Sequence, residues 1–321
     1  MGANLKGALL ALLAFAVFST HDVFIKYLGS IYSPVQIVFF SVLLGFPIVT
    51  LMLMRDQTDG NLRPRRPWWT ALRTGAAVVT GVSVFYAFSA LPLAQVYAIL
   101  FAAPLLITVL AIPMLGEKVR LRRWMAVVVG LVGVLIVLRP GQTDLGLGHL
   151  AALAAAVGGA LSSIVVRKIG GEERSVVLLL YPMTANFVVM ACLLPFVYKP
   201  MPLLDLGALG VISAFSFVGA LLVILAYRAG EAVIIAPMQY SQIIWATIFG
   251  FFFFDETPDL GTMVGASVII ASGIYILIRE GRSNVSENQP VLQTRSRAET
   301  GTMPRVSLLN DIEGPPPDSP R

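Results

Sequence analysis

The chain has 321 residues, 57% of them hydrophobic and 13% charged, and a mean hydropathy of +0.81, whereas an ordinary soluble domain is about a quarter charged. Its 23 Lys+Arg against 18 Asp+Glu give a formal +5, but the charges sit in short clusters between apolar runs rather than on one basic face, which argues against nucleic acid as a partner. One cysteine, Cys192, and two histidines, His21 and His149, exclude a disulfide framework and most zinc constellations, so neither a metal nor a cofactor is expected.

A hydrocarbon core about 30 Å thick needs roughly 20 apolar residues per helix. Such runs lie near 7–28, 34–54, 70–90, 93–115, 124–138, 147–169, 177–198, 206–228, 232–254 and 260–279. Backbone in lipid must satisfy its own hydrogen bonds, so all ten are expected to be helices. The connections are mostly a handful of residues, which makes sequential helices antiparallel neighbours. The fifth run is short and the third contains Arg73, so these two are the least sharply bounded. Lys6 followed by an apolar run and Ala14-Phe15-Ala16 imitates a signal peptide. Cleavage there would discard half of a span whose remainder has a counterpart later in the chain. From 281 to 321, Ser, Asn, Gln, Arg and Glu dominate, and Pro315, Pro316 and Pro317 lie near the end, as in a disordered cytoplasmic tail.

Translocated short loops are depleted in Lys and Arg. With the N-terminus inside, the inner segments hold Lys6; Arg55, Arg63, Arg65, Arg66 and Arg73; Lys118, Arg120, Arg122 and Arg123; Arg167, Lys168 and Arg174; and Arg228. Only Lys26, Arg139 and Lys199 fall outside. The net charge is therefore mainly a topology signal, and it predicts a multi-pass membrane protein with both termini in the cytoplasm.

The chain also matches itself at an offset of about 139–142 residues. Leu115-Gly116-Glu117 aligns with Phe254-Asp255-Glu256, and each is followed by a helix carrying a glycine, Gly133 or Gly273. Phe88-Ser89-Ala90 aligns with Tyr227-Arg228-Ala229, Thr108 with Thr247, and Thr20 through Lys26 with Ser162 through Lys168. Each half has five spans, an odd number, so the second half enters the membrane upside down. Inverted repeats of this kind place a site near the midplane between halves that rock against each other.

On these motifs the sequence resembles the EamA-type repeats of the drug/metabolite transporter superfamily, with one repeat over 5–140 and the second over 145–280. The resemblance implies an all-α integral membrane fold of ten transmembrane helices in two inverted five-helix repeats. It also implies secondary transport of small organic metabolites. Ser19 through Lys26 and Ile235-Ala236-Pro237-Met238-Gln239-Tyr240 are similar to bacterial members near the riboflavin and S-adenosylmethionine carriers. Riboflavin uptake is the leading reading; S-adenosylmethionine, or an amino-acid or other metabolite carried in or out, is the alternative. Asp255 departs from the pattern, standing where the first unit keeps Gly116.

Charged groups deep in hydrocarbon cost about 2.5–3.5 kcal/mol on insertion scales and normally face a cavity or a partner. His21 and Asp22 form the one pair at that depth, and their second-half counterparts are Ser163 and Ile164. The asymmetry favours coupling or binding; the plainer alternative is an Asp22–Lys26 pair at i, i+4. Lys26 recurs as Lys168, as expected of a helix-end anchor. In the ninth span Gln239, Gln242 and Trp245 stand where the fourth has Leu100, Ala103 and Leu106. At about 100° per residue they share a face with Met238 and Phe249, a candidate slot for a flat heteroaromatic ligand, although interhelical bonding would use the same residues. Tyr86, Gln95 and Tyr97 are further candidates near the outer helix ends.

Ser213, Ser216 and Gly219, with Gly75 and Gly81, read as close-packing positions, and Gly146 through Ala151 fits GxGxxA without the βαβ unit that motif requires. An integral membrane enzyme would need a reactive constellation, and only His21 with Asp22 comes near one; a receptor or scaffold has nothing in its favour beyond the tail. No Walker motif is present, so energy must come from a gradient. The expected partners are a small-molecule substrate and the lipid bilayer, with a homodimer left open.

Overall fold

The computed structural model describes residues 3–54, 62–116, 121–140, 145–170, 172–173, 175–229 and 235–282. The loop cations Arg55, Lys118, Arg120 and Arg174, the motif residue Glu117 and the tail from 283 onward lie outside the described residues. The helices are α1 Ala3–Gly29, α2 Pro34–Met54, α3 Pro67–Ala90, α4 Leu93–Leu100, α5 Ala103–Leu115, α6 Leu121–Leu138, α7 Leu147–Ile169, α8 Ser175–Val197 and α9 Leu203–Ala229. A 3₁₀ turn, Ala236–Tyr240, then leads into α10, Ser241–Phe254, and α11, Leu260–Arg282, follows. Apolar side chains surround most of these helices on all sides. Phe251, Phe252 and Phe253, for example, are exposed, as lipid-facing residues of a membrane bundle must be.

The fourth and ninth spans are not the uninterrupted helices that their hydropathy predicts. The fourth tightens at Phe101 and Ala102, where Ala102 N–H turns back to the Ile99 carbonyl at 3.0 Å. Pro104, in the first turn of α5, has no N–H to offer the fourth carbonyl before it, that of Leu100. The ninth tightens at the matching point, where the 3₁₀ turn carries Pro237 in its own first turn. The prolines differ in position while the tightening recurs at the same place in each repeat. Discontinuous helices near the midplane are what transporter sites are built from.

The departure at Asp255 also has a structural explanation. Gly116 closes α5 at φ 71° and Asp255 closes α10 at φ 54°, both left-handed. Glycine adopts that conformation without steric cost, and Asp is among the few side chains that tolerate it.

Helix pairing maps onto itself when the halves are exchanged. The most extensive contacts are α3 with α7 and α1 with α9, the third span on the sixth and the first on the eighth. The fifth and tenth spans pair through α6 and α11, and the second and seventh through α2 and α8. Small residues set the close approaches. A Cβ on Gly219 would lie 2.6 Å from the Phe18 ring, and one on Gly158 would lie 2.5 Å from Thr80 Oγ1. Gly133 and Gly265 face each other between α6 and α11, Gly81 faces Asn186, and Ser213 donates to the Ser41 carbonyl at 2.9 Å. Gly75 has nothing within 4 Å, so its expected role in close packing is not seen.

The inversion of the repeats is visible at two lysines. Lys26, at the end of α1, donates to the Leu91 carbonyl at 2.6 Å, beside the start of the fourth span. Lys168, at the end of α7, donates to the Met114 carbonyl at 2.5 Å, at the finish of that span. Helices α1 and α7 therefore run in opposite directions. Arg66 pairs with Glu172 at 2.7 Å at the Lys168 end. At the other end Gln36 exchanges two hydrogen bonds with the Lys199 backbone, at 2.7 and 2.9 Å. There Tyr32 donates to Asp205 at 2.5 Å, and this bond pushes its phenol up to about 12.

Candidate functional site

The first span carries Ser19, His21 and Asp22 within one turn, and all three are essentially buried. Adjacent helical positions diverge by about 100°, yet the His21 ring reaches round to place Nδ1 2.6 Å from Asp22 Oδ1. Tyr97, from α4 just before the tightening in the fourth span, donates its hydroxyl to Asp22 Oδ2. Gln242, from the first turn of α10 just after the tightening in the ninth, donates Nε2 to the Tyr97 hydroxyl at 3.3 Å. With His21 donating from Nδ1, hydrogen bonds from His21 and Tyr97 converge on one carboxylate. Both interrupted spans thus deliver a polar group to the same point, beside the first helix.

The surroundings are aromatic. Phe88 packs on Tyr97 with centroids 5.5 Å apart, Tyr97 on Phe101 at 5.9 Å, and Phe101 on Tyr240 at 5.0 Å. Gly273 is where Tyr240 needs room, because a Cβ there would lie 1.9 Å from the hydroxyl. The Ser19 hydroxyl, buried three residues before Asp22, has no hydrogen-bond partner among the described residues.

Of the residues singled out in sequence, the structure groups His21, Asp22, Tyr97 and Gln242 in one hydrogen-bonded set. Gln239, Trp245 and Tyr86 lie outside it, half-buried. Trp245 stacks on Phe249 at 5.9 Å and 29°. Gln239 lies in the 3₁₀ turn itself and is half-buried, whereas Gln242, in the first turn of α10, is buried. Gln95 meets His149 at 3.1 Å, away from this set.

The Asp22–Lys26 pair considered from sequence is not formed. Lys26 Nζ lies 2.8 Å from Glu256 Oε1, while Asp22 is held by His21 and Tyr97. Glu256 was visible in the sequence only as half of a repeated motif, and nothing local pointed to Lys26 as its partner. Ser19 stands in the sequence as the first residue of the stretch Ser19 through Lys26, with no role of its own to read there.

The model of the EamA-like transporter family matches residues 5–139 and again 146–279. The chain belongs to that family: it is a multi-pass membrane transporter built of two repeats, not an enzyme. It is 28% identical to the S-adenosylmethionine uptake transporter of Rickettsia bellii, covering 85% of this chain and 93% of that one. It is also 26% identical to a pseudopaline exporter of Pseudomonas aeruginosa, over 84% and 95% of the two chains. Against a riboflavin transporter of Rhizobium johnstonii it is 26% identical, over 69% and 74%.

Proposed function

We propose that this protein carries an organic cation of the S-adenosylmethionine class across the bacterial inner membrane, both termini cytoplasmic, with Asp22 receiving the positive charge. One observation supports this above others. Among the described residues Asp22 is the one carboxylate buried within a span, and the nearest cation of fixed charge, Lys26, is engaged by Glu256. A sulfonium beside a carboxylate and a row of aromatic faces gains both Coulombic and cation–π attraction. The amide of Gln242 and the free Ser19 hydroxyl supply neutral hydrogen-bonding groups for the rest of the ligand.

The flavin reading drawn from sequence depended on an amide–indole slot of Gln239, Gln242 and Trp245. The carboxylate-centred set suits a cation better, and the greater coverage of the S-adenosylmethionine relative favours the same choice.

The test is counterflow of labelled S-adenosylmethionine in proteoliposomes. Accumulation is expected, with competition by excess unlabelled S-adenosylmethionine and little by S-adenosylhomocysteine, which lacks the S-methyl group and with it the sulfonium charge. Accumulation of riboflavin and none of S-adenosylmethionine would overturn the reading. Reporter fusions at the C-terminus should report the cytoplasm.

A further inference from the structure

Lys26 lies one turn beyond Asp22 on α1 and is held away from it. Its ammonium meets Glu256 Oε1 at 2.8 Å, the Leu91 carbonyl at 2.6 Å and the Phe88 carbonyl at 3.4 Å, with the Phe254 ring centroid 5.3 Å away. Glu256 Oε2 accepts the Leu93 N–H at 3.1 Å. A single carboxylate from the second half thus ties α1 to the α3–α4 connection of the first. The side chains of Lys26 and Glu256 are only 10% and 21% exposed, so parting them strands charges in a poorly solvated place.

Opening this end of the bundle toward Asp22 requires the end of α10 to leave the α3–α4 connection, and that movement takes Glu256 away from Lys26. An ammonium at this depth does not stay unpaired. The carboxylate within reach on its own helix is Asp22, four residues earlier on the same face, in the acid-before-base order that favours pairing.

We infer that Lys26 is a resident cation that exchanges between Glu256 and Asp22, competing with the substrate's positive charge and making closure of this end conditional on another donor at Asp22. An arriving cation displaces Lys26 from Asp22; the freed ammonium returns to Glu256 and draws the end shut. In the present arrangement, where Lys26 is on Glu256, His21 and Tyr97 hold Asp22. The inference rests on reading Asp22 as the cation site, and it assigns Lys26 a part in coupling rather than simple anchorage.

Two measurements test it. The first is equilibrium binding of labelled S-adenosylmethionine to purified protein in nanodiscs. Lys26→Gln removes the competitor and lowers Kd about three- to thirtyfold, while Glu256→Gln frees Lys26 for Asp22 and raises Kd by a similar factor. The double variant follows Lys26→Gln. A clasp that merely holds helices together would shift both single variants in the same direction, and that result overturns the exchange.

The second measurement needs no ligand. Ser89 lies against Gly29 at this end; Ser89→Cys in a Cys192→Ser background reports its opening through labelling by a membrane-impermeant maleimide. Asp22→Asn deprives Lys26 of its alternative carboxylate and lowers labelling at least about threefold, whereas Glu256→Gln raises it by as much. Unchanged labelling in Asp22→Asn overturns the exchange whatever the ligand. Failure of the wild type to bind S-adenosylmethionine, with the labelling pattern as expected, counts against the substrate reading alone.

Discussion

Helices α1 and α7 occupy equivalent places in the two repeats, each packed lengthwise on a helix of the other half, yet their centres are chemically opposite. At the position of Asp22, α7 has Ile164, fully buried with Ile107, Ala111, Ala160, Val165, Ile169 and Leu178 in an apolar cluster. At the position of His21 it has Ser163. The packing therefore needs a filled position there and does not need a charge. A carboxylate at such depth costs a few kcal/mol, and the first half retains one. Symmetry supplies the scaffold, and the breaking of symmetry marks the site.

Mutating both sides of this comparison should give unequal results. Asp22→Asn should reduce transport at least about a hundredfold at unchanged abundance, because the amide keeps the shape and loses the charge-assisted interactions. Ile164→Asp, the reciprocal change, should lower the yield of inserted protein and confer no transport of its own. Equal loss of abundance in both variants would reduce Asp22 to a structural residue.

The close approaches come next. Gly158→Val places a side chain against Thr80 Oγ1 and the Ala76 carbonyl, and Gly219→Val drives one into the Phe18 ring. Each should destabilise by about 2–4 kcal/mol, within the overpacking and strain range, and lower the thermal midpoint in detergent. Gly75→Val, in open space, should change it little. Similar shifts in all three would contradict the pairing described.

Within the polar centre, Tyr97→Phe removes a donor to Asp22 and an acceptor for Gln242. It should raise the half-saturation concentration about ten- to a hundredfold, and Gln242→Leu about three- to tenfold. The reverse order, with Gln242 dominant, would move the centre of the site toward the ninth span. The smallest effect belongs to the helix caps. Asp255→Gly should be neutral or stabilise by up to about 1 kcal/mol, and Gly116→Ala should cost about 1 kcal/mol, since both positions hold left-handed backbone. Thermal unfolding of the two variants is the measurement.

Much of this was legible in the sequence because membrane insertion imposes a simple code. Span limits followed from the length of apolar runs: α7 begins at Leu147 and ends at Ile169, where the run 147–169 ends in sequence. The alignment of Gly116 with Asp255 anticipated a shared helix end, although the left-handed cap that explains it needs backbone coordinates. His21 and Asp22 stood out because charge in an apolar run is costly. The remainder depended on three-dimensional convergence. Tyr97 carries no depth signal that separates it from an interfacial tyrosine until the fourth span is placed beside α1. The 3₁₀ turn at Ala236–Tyr240 interrupts the ninth span, and a hydropathy pattern does not encode that interruption. The Lys26–Glu256 pair joins residues from opposite repeats, out of reach of any local pattern.

The most direct test of the central claim is a thermodynamic cycle of ligand charge against protein charge. Calorimetric binding of S-adenosylmethionine and S-adenosylhomocysteine to the wild type and to Asp22→Asn gives four affinities. The account predicts that the wild type prefers the sulfonium ligand by about 10- to 150-fold, the range of a charge-assisted contact, and that Asp22→Asn binds the two ligands alike. A preference of the same size in Asp22→Asn would contradict it, because the substrate's charge would then be met somewhere other than at Asp22.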